Sequence, residues 1–421
     1  MKKKKNSSLK YIFIIIGIII VFSLIMCDNR ENEQEIQDNT ENLDTLTSDD
    51  TLEKDHWIDS DLVKEEEYIL VSNPNDTGII QYGIDDNAGK NIRRVYNGRR
   101  INIALTGLDS RMGRNDNHAD ANHILSILLD SGLVEIFSIP RDTYADAGYD
   151  DTTGQNKLTV VRAARGRKTY LKELARIAGL DRIHYYMEVS FSQFIGLVEL
   201  FGVRNSHETL RVLRSRKGLG GDDYQRVYNQ GQFIAQMIYK HFDKFAGLFQ
   251  EVLVRGGLFF VDSDLAASTA NNIINTLEEK GFPKSKTDLT VKIKPPIPIR
   301  YKVYDFTDEN VVNGLLNKVE RFNHSDSAVA GVNPSKVLWN AINRAVSDST
   351  NKRFKNVSNT LRPYFDQRAW MQVLDSSERN SIRQRLSVLL IDAYKKSKND
   401  KEAQRVLKLY EAERELYNTK F

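Results

Sequence analysis

Short apolar segments alternate with longer amphipathic ones through the middle of the chain. Three apolar segments have the Gly, Asp, Ser or Pro boundaries that are typical of strands in a buried sheet: 101–107, 123–130 and 133–139. Apolar residues recur three and four positions apart, as in amphipathic helices, over 167–178, 190–201 and 224–245. This mixture predicts an α/β fold, and specifically an α/β/α sandwich with a central mixed sheet.

The last quarter of the chain has a helical pattern only. Asp375 and Glu378 have the spacing of a helix start, and residues 399–417 have helical periodicity. We therefore predict a body over 57–325, with its motifs in 101–257, followed by a small all-helical appendage over 332–421. The pattern leaves the role of this appendage open, including that of binding a protein partner.

The N-terminal residues have the pattern of a membrane anchor. Five lysines in residues 1–10 precede residues 11–27, which carry no charge and would span about 25 Å as a helix. Because positive residues stay on the cytoplasmic side, we expect a single-pass transmembrane helix in the cell membrane, with the body extracytoplasmic. Two alternatives remain open: a lipoprotein modified at Cys27, although Met26 is larger than usual before such a cysteine, and a cleaved signal peptide.

Charge and cysteine content narrow the function classes. Residues 28–56 carry eleven acidic and two basic residues, which predicts a disordered acidic linker, whereas the whole chain is near balance at +3. The single cysteine, Cys27, excludes an intramolecular disulfide and a multi-cysteine zinc site. The sequence has no Walker loop, GxSxG elbow or nucleic-acid-binding motif, so we expect no nucleic-acid partner.

Two carboxylates mark the ends of neighbouring predicted strands. Asp109 lies directly after the first strand, and Asp120 lies eleven residues later, at the start of the next. Magnesium takes oxygen ligands of this kind and retains several waters, so the pair is a candidate Mg²⁺ site. The alternative is that Asp109 only caps a turn.

Arginines mark a candidate anion site. Arg141 follows Pro140 at the end of the third strand, although a surface salt bridge would explain it equally well. Arg214 and Arg216 are two apart and would face the same side of an extended segment. A helix stripe carries Asp223, Arg226 and Gln230. Guanidinium groups beside a helix N-terminus bind phosphate oxygens well, but a solvated charged helix face remains the alternative.

Together these motifs resemble the LytR-CpsA-Psr family of cell-envelope phosphotransferases. The resemblance rests on five motifs in order: GLDSR at 107–111, SIPRDTY at 138–144, Lys157 in QNKLTVV, HYYMEVSFSQFIGLVELFGV at 184–203 and RSRKGLGGDDYQRVYNQ at 214–230. The predicted anchor and outside body match the family's topology as well.

The resemblance implies a reaction and a role for each matching residue. It implies transfer of a phosphoglycan from a polyprenyl-pyrophosphate-linked glycan to a peptidoglycan hydroxyl at the cytoplasmic membrane, with release of polyprenyl phosphate. Mg²⁺ would be held by Asp109 and Asp120. The pyrophosphate would be held by Arg141, Arg214, Arg216 and Arg226. Lys157 and Gln230 would support that site, and Asp223 would orient the arginines or bind the metal through water. The groove for the polyprenyl tail would be lined by Phe194, Ile195, Val198 and Phe201.

The sequence departs from the family pattern beside Asp120. The family commonly has Arg-Ser/Thr-Asp-Thr there, whereas this chain has His118 and Ala121 around the retained aspartate. The loss of an arginine and a hydroxyl leaves two alternatives open. One is a non-catalytic protein that binds polyprenyl phosphate or wall glycan, and the other is a pyrophosphatase that uses water as the acceptor.

Overall fold

The computed structural model describes ten parts of the chain. These are residues 83–90, 96–109, 112–113, 117–200, 206–216, 219, 222–242, 258, 261–323 and 333–418. The predicted anchor at 11–27, the linker at 28–56 and Cys27 lie outside them. Among the described residues, no helix combines the length and the apolar character needed to cross a membrane.

A six-stranded mixed sheet forms the centre of the molecule. The strands are β1 (Gly83–Asp85), β2 (Arg100–Asp109), β3 (His118–Leu128), β4 (Leu133–Ile139), β5 (Tyr185–Ser190), β6 (Asp262–Ser263), β7 (Leu289–Ile293) and β8 (Tyr301–Val303). The sheet order is β6-β5-β2-β3-β4-β7, and β1 pairs separately with β8. β5 is parallel to β2 and β7 is parallel to β4, whereas the other neighbours are antiparallel. The predicted mixed sheet is confirmed.

Helices lie between and after these strands. They are α1 (Leu158–Ala178), α2 (Phe191–Leu200), α3 (Ser206–Arg214), α4 (Asp222–His241), α5 (Ala267–Glu279), α6 (Glu309–Asn323), α7 (Pro334–Thr350), α8 (Phe354–Asp366), α9 (Ser376–Lys396) and α10 (Asp400–Asn418). The predicted helix start at Asp375 is confirmed, because its Oδ1 accepts a hydrogen bond from the backbone N–H of Glu378 at 2.6 Å.

The sheet is buried on both faces. Ile124 and Phe137 pack with Leu158 of α1 in a cluster on one face. Leu125 belongs to the cluster on the other face, which includes Ile234 of α4 and side chains of α5. Ile124 and Leu125 are neighbours in β3, and successive side chains of a strand point to opposite faces. Continuous apolar runs such as 123–130 are therefore explained by burial on both faces.

Two local conformations differ from the sequence pattern. The predicted helix at 167–178 is the second half of α1, since Gly166, with a φ of +77°, interrupts the helix without ending it. The extended segment expected at Arg214 to Arg216 is wrong, because Arg214 is the last residue of α3. Leu210 and Leu213, three apart and both buried, give this segment a helical core face that the arginine spacing alone did not show.

A β-bulge interrupts the pairing of β2 with β3. Gly107 pairs with Ala121, but the next residue, Leu108, pairs with Ala119. Asp120 is therefore an extra residue without an opposite partner, and a bulge of this kind redirects a side chain. Asp109 pairs with His118 directly beyond the bulge. The candidate Mg²⁺ ligands Asp109 and Asp120 thus lie at an irregular end of the sheet.

The C-terminal helices contact the elements around this sheet end. Arg379 of α9 forms an ion pair with Glu199 of α2 at 2.6 Å. Gln367, at the end of α8, accepts a hydrogen bond through its Oε1 from the backbone N–H of Gly113 at 2.9 Å. Gly113 lies in the connection between β2 and β3. A protein partner for these helices stays a prediction.

Candidate functional site

The site is built where β2 and β4 end and where β3, α1 and α4 begin. Asp109 and Asp120 come from the irregular ends of β2 and β3, and Arg141 follows β4. Thr159 comes from the first turn of α1, and Arg226 comes from the first turns of α4. The antiparallel and parallel pairings bring these chain ends to one edge, which explains why residues far apart in sequence meet there.

Asp120 connects the strand end to α1 and to Arg141. Its Oδ1 accepts a hydrogen bond from Thr159 Oγ1 at 2.9 Å and one from Arg141 Nη1 at 3.3 Å. Asp120 is 5% exposed, whereas about a fifth of the Arg141 side chain reaches solvent. Asp120 thus holds the buried part of the Arg141 side chain, and the remaining part is accessible to solvent.

Arg226 forms the buried centre of the arginine group. It is 2% exposed and forms an ion pair with Asp223, one turn earlier on α4. Asp223 also forms an ion pair with Arg216, whose Nε lies 3.4 Å from Asp223 Oδ1. The other carboxylate oxygen of Asp223, Oδ2, is buried and has no hydrogen-bond partner among the described residues. Asp223 therefore joins two arginines and leaves one oxygen for a further contact.

The pKa of Arg226 shows that nearby carboxylates offset only part of the effect of burying its charge. Burial lowers the pKa of Arg226 to about 10; Asp223 opposes this shift, and the charges of Arg216 and Arg141 add to it. Burial would also lower the pKa of Arg141, but the charges of Asp120, Asp142 and Asp223 outweigh it and raise the pKa. A bound anion would stabilise the charged form of Arg226, because it would supply the compensation that the protein lacks.

A buried polar row of His123, Ser138 and Gln230 lies near Arg226, and of these residues the sequence patterns indicated only Gln230. His123 of β3 lies 2.8 Å from Ser138 Oγ through Nδ1 and 3.3 Å from Gln230 Oε1 through Nε2. Gln230 also donates to the backbone oxygen of Leu213 at 3.3 Å. Burial lowers the pKa of His123 well below its usual value, with a smaller contribution from the charge of Arg226, so the imidazole is neutral. His123 was hidden within an apolar strand pattern.

Lys157 and Arg214 lie at the margin of the site. Lys157 Nζ is 3.5 Å from Asp142 Oδ1, and both side chains are more than 40% exposed. The guanidinium of Arg214 lies over the ring of Phe191, 4.6 Å from its centroid. The structure thus places Arg141, Arg216, Arg226, Asp120 and Asp223 in one electrostatically coupled group, with these two cations beside it.

The carboxylates fit a hard cation in number and type. Asp109 and Asp120 are both less than 10% exposed at the same end of the sheet. Among the described residues, no group of three or more His, Cys, Asp and Glu side chains could enclose a metal. Mg²⁺ commonly uses one or two carboxylates and completes its shell with phosphate oxygens and water, so two carboxylates are enough. Magnesium binding here stays a proposal.

The apolar residues of α2 lie in the core. Phe194 and Ile195 are fully buried, the side chain of Val198 is not described, and Phe201 lies outside the described residues. A narrow apolar cavity of about 30 Å³ lies elsewhere, between the sheet and helices α4 and α5. Its walls include Leu125, Val134, Ile238, Phe242, Ile274 and Phe282.

Comparisons with known proteins give one family match and several structural likenesses. Residues 79–206 match the sequence model of the LytR_cpsA_psr family. The chain is similar to B. subtilis TagV, with 16% identity, 53% of this chain and 98% of that chain covered, and a TM-score of 0.38. It is also similar to the structure of TagT bound to LIIa-WTA, with 15% identity, 56% and 97% covered, and a TM-score of 0.34.

A third structural likeness is to protein gbs0355 from Streptococcus agalactiae. Identity is 13%, the comparison covers 53% of this chain and 87% of that chain, and the TM-score is 0.36. No curated protein matches the chain. At these TM-scores the structural likenesses add no argument, so the assignment rests on the family match.

The family match covers part of the candidate site. The matched residues include Asp109, Asp120, Arg141 and Lys157, whereas Arg216, Asp223 and Arg226 lie beyond them and are joined to them by the contacts described above. Residues 79–206 of this chain thus match the LytR-CpsA-Psr family, and the other residues of the candidate site lie outside the match.

Proposed function

We propose that this protein transfers a phosphoglycan from a polyprenyl-pyrophosphate-linked glycan to a hydroxyl of peptidoglycan. Family membership is consistent with transfer of a cell-wall glycopolymer. The observation that carries the proposal is Arg226, a buried guanidinium whose pKa is lowered by burial and which lies among Arg141, Arg216 and two aspartates. Such a group favours a multiply charged anion, and a pyrophosphate is one.

The proposed reaction needs charge stabilisation and alignment more than a covalent nucleophile. The acceptor oxygen forms a bond to the phosphorus that carries the glycan, and the bond from that phosphorus to the bridging oxygen breaks. Polyprenyl phosphate leaves with the bridging oxygen, and the acceptor hydroxyl loses its proton. Arg141 and Arg226 would bind the phosphate oxygens while negative charge is redistributed among them.

Two carboxylates would hold Mg²⁺ in this proposal. Asp109 and Asp120 would bind it, and the ion would neutralise phosphate charge when bound. Thr159 and Arg141 keep Asp120 in place through its Oδ1, so this chain fixes the carboxylate before any ligand arrives. Asp223 would keep Arg216 and Arg226 oriented toward the phosphates.

The polyprenyl tail requires an apolar path that starts beside the arginines. Arg226 and the cavity residue Ile238 are both on α4, twelve residues apart, or about 18 Å along a helix. We propose that the tail enters between the sheet and α4 and α5, which must separate because the cavity is narrow. Phe194 and Ile195, proposed earlier for this role, would support the groove from within the core.

The proposed lipid substrate also indicates where the protein would act. A polyprenyl lipid is held in a membrane, so the enzyme would act at the surface of the cytoplasmic membrane, attached through residues 11–27 or a lipid at Cys27. A mass measurement on the membrane-extracted protein distinguishes these attachments, since lipidation at Cys27 both removes the preceding residues and adds acyl chains.

The direct test is turnover by the full chain in detergent. It is incubated with a polyprenyl-pyrophosphate-linked glycan and peptidoglycan, with magnesium or with EDTA, and the products are identified by mass spectrometry. We expect polyprenyl phosphate and a glycan–peptidoglycan conjugate with magnesium only. Asp109→Asn and Asp120→Asn should lower the rate at least a hundredfold, whereas Arg353→Gln, an exposed arginine of the C-terminal helices, should not.

Other outcomes identify the alternatives. Free phosphoglycan without a conjugate would show water as the acceptor and thus a pyrophosphatase. Lipid that remains bound to the protein without turnover would show a binding protein. Equal rates for the wild type and Asp120→Asn would contradict the proposed site.

A further inference from the structure

Two tyrosines of one connection are exposed beside the site. Tyr144 and Tyr149 are 60% and 49% exposed, and no other aromatic side chain of the described residues is exposed to this extent. Both lie in the connection from Arg141 to α1. Exposed aromatic groups that lie together are typical of binding surfaces, because burial against a ligand removes apolar area from water.

The connection holds these tyrosines rigidly. Asn156 is buried, and its Oδ1 accepts hydrogen bonds from the backbone N–H groups of Ala147 and Tyr149 at 3.1 and 3.3 Å. Its Nδ2 donates to the backbone oxygen of Tyr149 at 2.9 Å. The hydroxyl of Tyr144 donates to Asp151 Oδ1 at 3.2 Å, and Asp151 also contacts Asn156. The buried amide of Asn156 thus holds the backbone at Tyr149, and through Asp151 it is linked to the hydroxyl of Tyr144.

The tyrosines also lie close to the reacting end of the site. The backbone oxygen of Arg141 accepts a hydrogen bond from Thr159 at 3.0 Å, and Tyr144 forms a β-bridge with Lys157. Tyr144 follows Arg141 by three positions, which is at most about 11 Å of chain. A molecule that presents a hydroxyl at the arginines would therefore extend over Tyr144.

The charge of this surface favours an uncharged ligand. Residues 142–156 contain Asp142, Asp146, Asp150 and Asp151 and no basic residue. Asp142 and Asp146 contact Lys157 and Arg165 from neighbouring segments. A polymer that carries phosphate in each unit would be repelled by these carboxylates, whereas sugar hydroxyls can donate hydrogen bonds to them.

We propose that Tyr144 and Tyr149 form a saccharide subsite that binds the uncharged glycan strand of the acceptor. The C–H face of a pyranose ring would stack on the tyrosine rings, and its hydroxyls would donate to Asp150 or Asp151. This inference rests on the proposed transferase function for its purpose, but it is tested by binding alone.

The experiment measures binding of an N-acetylglucosamine hexamer to the full chain in detergent by isothermal titration calorimetry, without lipid substrate. We expect Tyr144→Ala and Tyr149→Ala each to weaken binding about tenfold, because each removes a stacking ring. Tyr144→Phe keeps the ring and should bind nearly as the wild type does. Leu374→Ala, which truncates another exposed apolar side chain, is the matched control and should change nothing.

Each outcome decides the proposal. Loss of binding in the two alanine variants with unchanged melting temperatures supports it. Absence of hexamer binding by the wild type at millimolar concentration overturns it, and so does equal binding by the alanine variants. Tighter binding of a poly(glycerol phosphate) chain at the same tyrosines would overturn the assignment to the acceptor. A chain that binds the hexamer but shows no turnover would contradict the transferase function and leave the subsite intact.

Discussion

Two groups of buried charges in this protein are built from the same residue types and differ in how they are paired. At the sheet edge formed by β5 and β6, Glu188 receives two hydrogen bonds from Arg162, at 2.7 and 2.8 Å, and one from Arg167 at 2.5 Å. At the candidate site, Arg226 forms one close ion pair, with Asp223, whereas Arg141 and Arg216 approach their aspartates only to 3.3–3.5 Å. We call these the Glu188 cluster and the Arg226 cluster.

The pKa of Arg226 is shifted in the opposite direction to that of Arg167 in the Glu188 cluster. Burial would lower the pKa of Arg167, but hydrogen bonds and charge from Glu188 raise it. Burial would raise the pKa of Glu188, but the same arginines lower it. In the Arg226 cluster the pKa of Arg226 itself stays lowered, to about 10. A cluster in which arginines and carboxylates pair closely stabilises the fold, whereas a buried arginine whose pKa stays lowered is suited to bind an anion.

The largest expected effect is on turnover. Arg226→Gln removes the buried positive charge and keeps a hydrogen-bond donor, so we expect the transfer rate to fall by 10²–10³, or about 3–4 kcal/mol of transition-state stabilisation. The rate is measured by polyprenyl phosphate release. Stability should change less than activity, because the lost pair with Asp223 is offset by relief of a desolvated guanidinium.

Arg162→Met is the matched change in the Glu188 cluster. It leaves Glu188 buried with one fewer partner, so we expect a loss of roughly 3 kcal/mol in the free energy of unfolding, measured by urea denaturation. The rate of the folded fraction should stay within a few-fold of the wild type. If Arg162→Met abolished turnover while stability was unchanged, the division between the two clusters would be wrong.

The pH dependence of stability should separate the clusters. The folded pKa of His123 is lowered, so below pH 6.5 the unfolded chain binds a proton that the folded chain does not. Stability should therefore fall with decreasing pH, by up to about 1.4 kcal/mol per pH unit. Glu188 acts in a lower window, because its lowered pKa gives stability above about pH 4.3 that is lost below it.

Urea denaturation between pH 3 and 8 measures both windows. His123→Asn should reduce the change just below pH 6.5, to which His184 and His207 also contribute because burial lowers their pKa values too. Glu188→Gln should reduce the change below about pH 4.3. A His123→Asn variant that keeps the full change below pH 6.5 would contradict the contribution of His123.

The smallest expected effect is at Lys157. Its contact with Asp142 at 3.5 Å is exposed to solvent, so Lys157→Ala should cost less than about 1 kcal/mol of stability. We expect only a few-fold loss in transfer rate relative to the wild type, and a smaller loss at high salt, where the long-range attraction contributed by Lys157 is screened. A hundredfold loss would move Lys157 from the margin into the Arg226 cluster.

The sequence predicted much of the fold because the strands are apolar and their ends carry charge. The sheet, the long helix α4 and the meeting of Asp120, Arg141, Asp223 and Arg226 follow from that pattern. Thr159 could not be found, since its role depends on which strand end the first turn of α1 meets. His123 could not be found either, because a buried histidine in an apolar run has no periodic signal.

The irregular pairing at Asp120 has a consequence for how this sequence tolerates insertion and deletion. If Asp120 were deleted, Ala121 and Ala119 would become neighbours, opposite Gly107 and Leu108, and the ladder between β2 and β3 could continue without interruption. β3 would lose one residue, and its side chains would still alternate between the two faces of the sheet. The Asp120 carboxylate would be absent. The insertion or deletion of one residue therefore decides whether this end of the sheet carries the Asp120 carboxylate. The pairing of β2 with β3 and the presence of that carboxylate can thus be gained or lost separately.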